Sequence, residues 1–412
     1  MKINKILVCL IITFTLSAHT VLADDVEEDF SSTFPSITVS SESTLEPTIN
    51  SRAAIVYERS SGSILYGKAE NEKRKMASTT KIMTAIVVLE NANLSDIVTV
   101  SSNAAGTGGS RLGLHKDDKI SIQDLLYGLL LCSGNDAAVA LAEQVGGNIS
   151  NFANLMNNKA TSLGLSSTHF VTPHGLDDDN HYTTAYELAL ITNYALKNDV
   201  FANLVKTKVY TISINNYPKT LSNTNELLGN YDGVYGVKSG FTNGANRCLV
   251  TAVKRDNMDI ICIVLGAETK KDRTKDSINL INYSFNNFKM VNIKEKITNE
   301  FINWKICNSS SFKVEKGITD SVDIIIQDIP YDFSPIKCNH TNDISIYIYC
   351  NTKLTAPLPS GSAIGYLTVS IDNQTVLTLN LYNSNNIALK TPTEFFGGFL
   401  KNYSYYLESI FY

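Results

Sequence analysis

The hydrophobic pattern of this chain changes character once, near residue 290, and that change sets the architectures open to it. Between residues 51 and 288, apolar runs of strand length alternate with helical stretches, for example residues 53–57 and 79–90. From residue 291 to 389, short strands with alternating apolar side chains follow one another. The first part therefore predicts a mixed α/β or α+β domain, and the second predicts a separate small β domain.

The N-terminus carries the pattern of a secretory signal. Lys2 and Lys5 precede an apolar run over residues 6–18, and small residues end that run before Asp24. The run is short for a membrane-spanning helix. A buried N-terminal helix is the alternative, but the order of charged end, apolar centre and small-residue exit favours a signal over residues 1–23. We therefore expect export, to the extracytoplasmic face of the membrane, the cell wall or the medium.

The residues after the signal are acidic and contain few apolar side chains. Residues 24–50 hold seven acidic groups, no basic group and two prolines. Such a segment buries too little apolar surface to offset the entropy of ordering, so we predict a flexible leader there. The remaining boundaries follow from the pattern: a first domain over residues 51–289, a β domain over 290–389 and a terminal helix over 390–412.

Charge and cysteine content exclude two classes of protein. With 35 Lys and Arg against 40 Asp and Glu, the chain lacks the basic field that holds a nucleic acid backbone, so no nucleic acid partner is expected. Seven cysteines, one of them in the signal, are too few for a disulfide scaffold. Cys132 and Cys262 lie in apolar runs and are expected in the core. Cys338 and Cys350 flank a turn-like segment, and a disulfide between them is a hypothesis.

The last stretch predicts an amphipathic helix. Thr391 is a candidate N-cap, Pro392 suits the first helical position, and Glu394 is placed to complete a capping box. Apolar and aromatic side chains then recur at helical spacing at Phe395, Phe399, Tyr403, Tyr406, Leu407 and Ile410. This stripe could pack on the protein's own core, or residues 391–412 could make a peripheral contact with a membrane interface. The sequence leaves both open.

A serine and a lysine stand three residues apart at the start of an apolar helix. Ser78 and Lys81 therefore share one helix face. A serine hydroxyl needs a base within hydrogen-bond reach to become a nucleophile, and a lysine serves when burial and a second cation lower its pKa. The S-x-x-K spacing also occurs at Ser310 and Ser334, with no helix behind either. Alone, the motif is weak evidence, because a solvated surface pair would look the same.

Two further motifs strengthen the case. Ser133, Gly134 and Asn135 stand between two apolar stretches, and Lys238, Ser239 and Gly240 precede a strand. S-x-x-K, S-x-N and K-[ST]-G together are the signature set of penicillin-binding proteins and class A β-lactamases.

With these motifs in place, the chain resembles the serine-type D-alanyl-D-alanine carboxypeptidases, the low-molecular-mass penicillin-binding proteins. The resemblance covers about residues 51 to 389 and is carried by ASTTKIMTA (77–85), SGNDA (133–137), HGLD (174–177), HYTTA (181–185) and GVKSGFT (236–242). It implies a penicillin-binding, β-lactamase-like transpeptidase domain, an antiparallel sheet flanked by helices, followed by a small all-β domain. It also implies an enzyme that needs no cofactor, removes the terminal D-alanine from peptidoglycan stem pentapeptides and is acylated by β-lactam antibiotics.

The resemblance assigns roles to residues. Ser78 attacks the substrate carbonyl and Lys81 is the general base; Ser133 relays protons, and Asn135 holds Lys81 and the substrate backbone. Lys238 supplies the cation that keeps Lys81 deprotonated. The backbone N–H groups of Ser78 and Phe241 form the oxyanion hole. The substrate-binding residues are Ser239, Gly240, Phe241 and Arg273, of which Ser239 and Arg273 meet the terminal carboxylate.

The chain departs from the family pattern in two places. Ser239 replaces the usual threonine and keeps its hydroxyl, and the terminal helix is poor in Lys and Arg. Arg273 has an alternative interpretation, which the sequence leaves open: it could be one cation in a charged loop.

The residues disfavour three other interpretations. A serine β-lactamase of class A needs a glutamate on the loop after S-x-N, and residues 165–186 contain none. A non-catalytic wall-binding protein would not need all five catalytic side chains. A metal site at His174 and His181 is disfavoured, because their spacing matches no helical pair or zinc finger, and they are expected to hold the loop that borders the cleft.

Overall fold

The computed structural model describes residues 46–308, 311–340, 344–371 and 373–411. The predicted signal and most of the acidic leader lie outside the described residues. In the first domain the strands are β1 (Ala53–Glu58), β2 (Ile64–Lys68), β3 (Ile97–Thr99), β4 (Lys119–Ser121), β5 (Val209–Ile214), β6 (Tyr217–Ser222), β7 (Val234–Thr242), β8 (Asn246–Arg255) and β9 (Met258–Ala267). The helices are α1 (Lys81–Asn91), α2 (Ser102–Ala105), α3 (Ile122–Leu130), α4 (Asn135–Gly146), α5 (Ile149–Ser162), α6 (Ala185–Ala195), α7 (Asp199–Lys206) and α8 (Lys270–Asn287).

A five-stranded antiparallel sheet forms the centre of this domain, with strand order β2-β1-β9-β8-β7. Side chains alternate across it, as the period of a strand requires. In β1, Ile55 belongs to the core that contains the side chains of α1, α3, α4 and α6, whereas Val56 belongs to the core under α8. Both side chains are fully buried, so truncating Ile55 to alanine would cost about 2–5 kcal/mol. The sequence-based prediction of an antiparallel sheet flanked by helices is confirmed.

The second domain has its own core and its own sheets. Its strands are β10 (Phe288–Asn292), β11 (Lys313–Glu315), β12 (Ile324–Ile326), β13 (Phe333–Lys337), β14 (Ile344–Cys350), β15 (Lys353–Thr355), β16 (Ala363–Ile371) and β17 (Gln374–Asn383), and its helix is α9 (Ile293–Asn308). Four strands form an antiparallel sheet in the order β12-β17-β16-β14. Buried Leu367, Leu379 and Leu381 of that sheet share one core cluster with Ile297 of α9. The predicted β domain is present, together with a helix that the strand pattern did not predict.

The disulfide hypothesis is wrong in this structure, which leaves Cys338 and Cys350 as free cysteines. Cys338 follows β13, which pairs with β10, whereas Cys350 ends β14, which pairs with β16. The segment between them is therefore no tight turn. The Cys350 side chain is buried in the core of the β domain instead.

The terminal helix α10 (Pro392–Phe411) begins where the sequence predicts. The Thr391 hydroxyl accepts the Glu394 N–H at 3.3 Å, and the Glu394 carboxylate accepts the Thr391 N–H at 2.7 Å, a complete capping box. Its aromatic side chains do not pack on the protein's own core: Phe395, Phe399, Tyr403 and Tyr406 are 51–64% exposed, while the side chain of Ile410 lies outside the described residues. None of the helices in the described part of the chain is both long enough and apolar enough to cross a membrane.

Candidate active site

Ser78 lies in a single turn of 3-10 helix, Ala77–Thr80, that leads directly into α1. The Thr79 side chain secures this turn by donating to the Met76 carbonyl at 2.6 Å. Ala77 has a φ of 48°, a conformation that a residue with a side chain adopts only when its surroundings enforce it. Ser78 is 7% exposed, so its hydroxyl meets solvent only through the opening of the cleft.

Lys81, the first residue of α1, is fully buried, and its amino group faces four oxygens. The Nζ atom lies 2.7 Å from Ser78 Oγ, 2.7 Å from Asn135 Oδ1, 3.1 Å from the His174 carbonyl and 3.3 Å from Ser133 Oγ. The Asn135 and His174 oxygens can only accept hydrogen bonds. They can take the two protons of a neutral amine, which leaves its lone pair for the Ser78 hydroxyl. This is the geometry of a nucleophile with its base.

The second motif lies between α3 and α4 and is held by the loop between α2 and β4. Ser133 has a φ of 62° and is buried, and Asn135 begins α4. The Asn135 amide is oriented by the Gly108 carbonyl, which accepts from Nδ2 at 2.8 Å, so that Oδ1 points at Lys81. The adjacent Asp136 carboxylate accepts backbone N–H groups of Leu112, Gly113 and Leu114 at 2.7–3.0 Å and so fixes that loop.

The third motif lies in β7, at the edge of the five-stranded sheet. Gly240 passes so close to the nucleophile that a β-carbon there would lie 2.8 Å from the Ser78 backbone nitrogen, which explains why glycine is required. Lys238 and Ser239 are almost fully buried. The Ser239 hydroxyl is 3.0 Å from the hydroxyl of Thr224, a half-buried residue that the motifs did not point to.

Arg273 occupies a different environment from the charged loop considered above. It lies in α8, is fully buried, and its Nη2 atom donates to Glu226 at 3.1 Å. Its Nε and Nη1 atoms have no hydrogen-bond partner. The structure therefore shows Arg273 bound to a carboxylate of the protein and closed to solvent. Phe241 is partly exposed and lies under the Arg247 guanidinium, 4.4 Å from the ring centroid.

The loop between α5 and α6 borders the cleft and touches both sides of it. The His174 carbonyl accepts from Lys81, and the His181 Nε2 atom lies 2.7 Å from the Thr80 hydroxyl. On the far side, the Asp177 carboxylate accepts from the Thr242 hydroxyl at 2.7 Å and from the Gly244 N–H at 2.8 Å. The loop is thus joined both to the turn that carries Ser78 and to the end of β7.

Burial sets the charge of the two histidines. Burial, with the Lys81 side chain as the next cause, lowers the pKa of His174 to about 3, and burial lowers the pKa of His181 to about 4. Both are neutral at pH 7. Within the described ranges, no group of three or more His, Cys, Asp or Glu side chains is placed to hold a metal ion.

The structure therefore brings Ser78, Lys81, Ser133 and Asn135 into direct contact and places β7 alongside them. Sequence reasoning missed Thr224, Asp136 and the partners of the loop residues. Asp136 directly follows the S-x-N motif. A carboxylate in the first turn of a helix stabilises that helix, so its position could have marked it as a structural residue of the site. Nothing in the sequence marks Thr224, because its contact with Ser239 exists only once β7 has formed.

Comparison with known families matches both domains. The family model described as D-alanyl-D-alanine carboxypeptidase matches residues 40–269. The model described as the C-terminal domain of penicillin-binding protein 5 matches residues 306–388.

Similar proteins match over most of their length. A D-alanyl-D-alanine carboxypeptidase of Bacillus subtilis is 32% identical over 329 residues, 78% of this chain and 82% of that protein. One from Escherichia coli is 33% identical over 351 residues, 81% of this chain and 84% of the other. Among solved structures, penicillin-binding protein 5 of Haemophilus influenzae matches with a TM-score of 0.70 and 27% identity, over 84% of this chain and all of that one. The Streptomyces K15 DD-transpeptidase matches with a TM-score of 0.56 and 37% identity, over 58% of this chain and 99% of that one.

Proposed function

Because the chain belongs to the D-alanyl-D-alanine carboxypeptidase family, we propose that Ser78 cleaves the terminal D-alanine from peptidoglycan stem peptides through an acyl-enzyme. The chain is a serine-type carboxypeptidase and a penicillin-binding protein of low molecular mass by this membership. The observation that carries the residue assignment is the 2.7 Å contact between Lys81 Nζ and Ser78 Oγ, with acceptor oxygens on the other side of the amine.

In the acylation step, the neutral amine of Lys81 takes the Ser78 proton while Ser78 Oγ attacks the carbonyl carbon of the penultimate D-alanine. The C–N bond to the terminal D-alanine then breaks, and the leaving nitrogen receives a proton through the Lys81 and Ser133 pair. Water attacks the resulting ester, releases the shortened peptide and restores Ser78. β-Lactams form an analogous ester when Ser78 opens their ring, and they remain bound because this penicilloyl ester hydrolyses slowly.

The developing negative charge on the carbonyl oxygen needs fixed donors. We assign the backbone N–H groups of Ser78 and Phe241 to this oxyanion hole, supported by the approach of β7 to the Ser78 nitrogen at Gly240. A hole of this kind lowers the barrier only if its two N–H groups are held at a fixed separation, and the loop joined to both sides supports that requirement.

The terminal carboxylate of the substrate requires donors next to β7. The Ser239 hydroxyl and its partner Thr224 are placed for this role, and Lys238 contributes positive charge. Arg273 reaches the substrate carboxylate only if that carboxylate competes with Glu226 for the guanidinium. We therefore propose that the two hydroxyls make the direct contact and that Arg273 adds a buried positive field behind them.

The structure offers no deacylating base of the β-lactamase kind on the loop. Glu187, the first glutamate after the loop, lies in the first turn of α6 and accepts the Ser166 N–H at 2.9 Å, the Ser167 N–H at 2.9 Å and the Thr168 hydroxyl. These hydrogen bonds tie the start of the loop to α6, so the Glu187 carboxylate has a structural role.

D-alanine release from a diacyl-Lys-D-Ala-D-Ala tripeptide by the mature chain tests this function, with Ser78→Ala as the control. We expect steady release by the wild-type chain and none by the variant, since removing the nucleophile removes the acyl-enzyme route. If neither protein releases D-alanine, turnover of a penicillin by the wild-type chain would indicate a β-lactamase. The absence of both activities would indicate a non-catalytic binding protein.

We also propose that the mature protein is exported and that α10 lies in a membrane interface. Every described aromatic side chain of the helix is exposed, including Phe396 and Phe399 at 64% each. Aromatic side chains at this density bind a lipid interface through apolar burial, and the low charge of α10 makes the binding depend little on anionic lipid.

Co-flotation with phosphatidylcholine vesicles tests the contact. The mature chain should float with the vesicles, and a Phe396→Ser, Phe399→Ser double variant should remain largely in solution. Tyr217, 76% exposed on β6, provides the matched control, because Tyr217→Ser should leave flotation unchanged. Equal flotation of all three proteins, or none by the mature chain, would contradict the proposal.

A further inference from the structure

A chain of three hydrogen bonds runs from the loop bordering the cleft to the peptide group that precedes the nucleophile. The Val171 N–H donates to His181 Nδ1 at 3.0 Å. His181 Nε2 lies 2.7 Å from the Thr80 hydroxyl, which donates to the Ala77 carbonyl at 2.8 Å. Every residue between the ends is almost fully buried, with His181 2% and Thr80 1% exposed.

The polarity of this chain is fixed by its two ends. Because His181 Nδ1 accepts a backbone N–H, a neutral ring must carry its proton on Nε2, which therefore donates to the Thr80 hydroxyl. The hydroxyl in turn can donate to Ala77, whose carbonyl only accepts. All three bonds point the same way, and hydrogen bonds aligned in this manner polarise one another.

The end point matters because the Ala77 carbonyl and the Ser78 N–H belong to one peptide group. Its amide plane is rigid, so fixing the oxygen fixes the direction of the N–H. A donor at the oxygen also draws electron density from the nitrogen and makes the N–H a stronger donor. The plane is confined sterically as well: Gly175 lies so close that a β-carbon there would be 1.9 Å from the Ala77 oxygen.

We propose that His181 and Thr80 are positioning residues that aim and strengthen the Ser78 N–H as an oxyanion donor. This rests on the proposed function only in assigning that N–H to the oxyanion hole. Neither side chain touches the substrate, so the pair acts on the transition state through the peptide group. The pair therefore supports the chemical step and contributes little to binding the substrate in the ground state.

The groups that face His181 leave its ring neutral under the conditions of catalysis. Burial is the main cause of its low pKa; Asp177 and Asp178 oppose the shift, and His169 adds to it. A neutral ring preserves the tautomer that the chain requires. An imidazolium would place a proton on Nδ1, opposite the Val171 N–H, and so break the first bond of the chain.

Thr80→Val and Thr80→Ser form a matched pair for the test. Valine keeps the shape of threonine and removes the hydroxyl, whereas serine keeps the hydroxyl. We expect Thr80→Val to lower kcat for D-alanine release about tenfold with KM changed by less than about twofold, because one oxyanion donor is weakened but not removed. Thr80→Ser should retain at least half of the wild-type kcat. Adding His181→Phe, which removes both ring nitrogens, to Thr80→Val should lower kcat little further, since both residues act through one chain.

A second measurement separates this role from a merely structural one. It is the stretching frequency of the acyl carbonyl in the penicilloyl enzyme, which reports the strength of the hydrogen bonds to that carbonyl. The infrared band of an isotope-labelled carbonyl should shift to higher wavenumber in Thr80→Val and stay at the wild-type position in Thr80→Ser. Equal kcat values in the two Thr80 variants, or an unshifted band in Thr80→Val, would overturn the proposal. Should Thr80→Val fail to fold, His181→Phe in the wild-type background, which keeps a planar ring and removes both ring nitrogens, is judged by the same two measurements.

Failure of the proposed carboxypeptidase function can be distinguished from failure of this inference. A wild-type chain that releases no D-alanine removes the carboxypeptidase assignment but still allows the penicillin acylation rate and the infrared band to be compared among the Thr80 variants. If the wild-type chain reacts with neither probe, Ser78 is no nucleophile and the proposal about its N–H is wrong as well.

Discussion

At the scale of single residues, the amide of Asn135 affects the protonation state of Lys81. Its Oδ1 atom accepts from the lysine without carrying a charge, so it holds the amine while stabilising the ammonium form less than a carboxylate would. Burial of Lys81 acts in the same direction, because taking a cation out of water favours the neutral amine. The proposed role of Lys81 as the base for Ser78 depends on both effects.

Asn135→Asp should therefore shift the pH dependence of catalysis. A carboxylate at the same place favours the ammonium form and raises the pKa of Lys81, so the acidic limb of the kcat/KM profile should move up by about one pH unit or more. The rate of penicillin acylation, measured from about pH 5 to about pH 10, should show the same displacement of its acidic limb. The conservative control Asn135→Gln leaves the site uncharged, and an unmoved limb in Asn135→Asp would contradict a neutral Lys81.

Contacts between single residues could be predicted from the sequence only where the residues are close along the chain or belong to a known motif. Ser78 and Lys81 are three residues apart, and helix geometry alone predicts their contact. The motif set adds Ser133, Asn135 and Lys238. Thr80 and His181 are 101 residues apart, and Glu226 and Arg273 are 47 apart, so their contacts depend on the packing of separate elements and no local pattern reports them.

At the scale of elements, the loop between α5 and α6 couples the two sides of the cleft. Its Asp177 carboxylate accepts two hydrogen bonds from the turn that follows β7, although the side chain is exposed. Exposure weakens such bonds, but together they restrain the strand end that carries Phe241. The loop thus fixes the separation between the proposed oxyanion donors.

Asp177→Ala should loosen that strand end and lower kcat/KM about three- to tenfold, in line with about 1 kcal/mol for exposed bonds to a charged group. Hydrogen exchange of residues 241–246 should accelerate in the variant, because the turn loses its restraint. Asp179 lies on the same loop, is exposed and pairs with Lys75 instead, so Asp179→Ala is the matched control and should retain wild-type exchange and activity. A wild-type exchange rate in Asp177→Ala would show that the bridge does not restrain β7.

Elements were predictable where local chemistry specifies them. The start of α10 follows from its capping box, which the structure contains in full. Helix α9 was not predicted, although its buried Ile293, Ile297 and Phe301 recur at the four-residue spacing of one helix face. The hypothesis of a disulfide between Cys338 and Cys350 rested on their closeness in sequence, but β13 and β14, although consecutive along the chain, belong to different sheets.

At the scale of the whole molecule, the chain contains separate cores. Two clusters lie on either side of the five-stranded sheet, and a third, built from α9 and the C-terminal strands, shares no residue with them. The boundary predicted at residues 289 and 290 falls within β10, Phe288–Asn292, and stays a prediction. Within the described residues, β10 continues directly from α8 and pairs with β13, which links the two units.

Separate cores predict two thermal transitions in calorimetry, because each unit can lose its packing independently. Acylation by penicillin should raise the midpoint of the transition that contains Ser78 and leave the other within about 1 °C, since a ligand stabilises only the unit that binds it. Ser78→Ala treated in the same way should show no shift. A single transition that moves as a whole would contradict independent units.

The measurement that tests the central claim most directly is detection of the acyl-enzyme formed from the substrate itself. Rapid mixing of the wild-type chain with the tripeptide, acid quenching and peptide mass spectrometry should reveal an ester on the peptide that contains Ser78. That ester should form at least as fast as D-alanine appears in steady state. An ester on another residue, or D-alanine release with no ester at Ser78 at any time, would contradict the account.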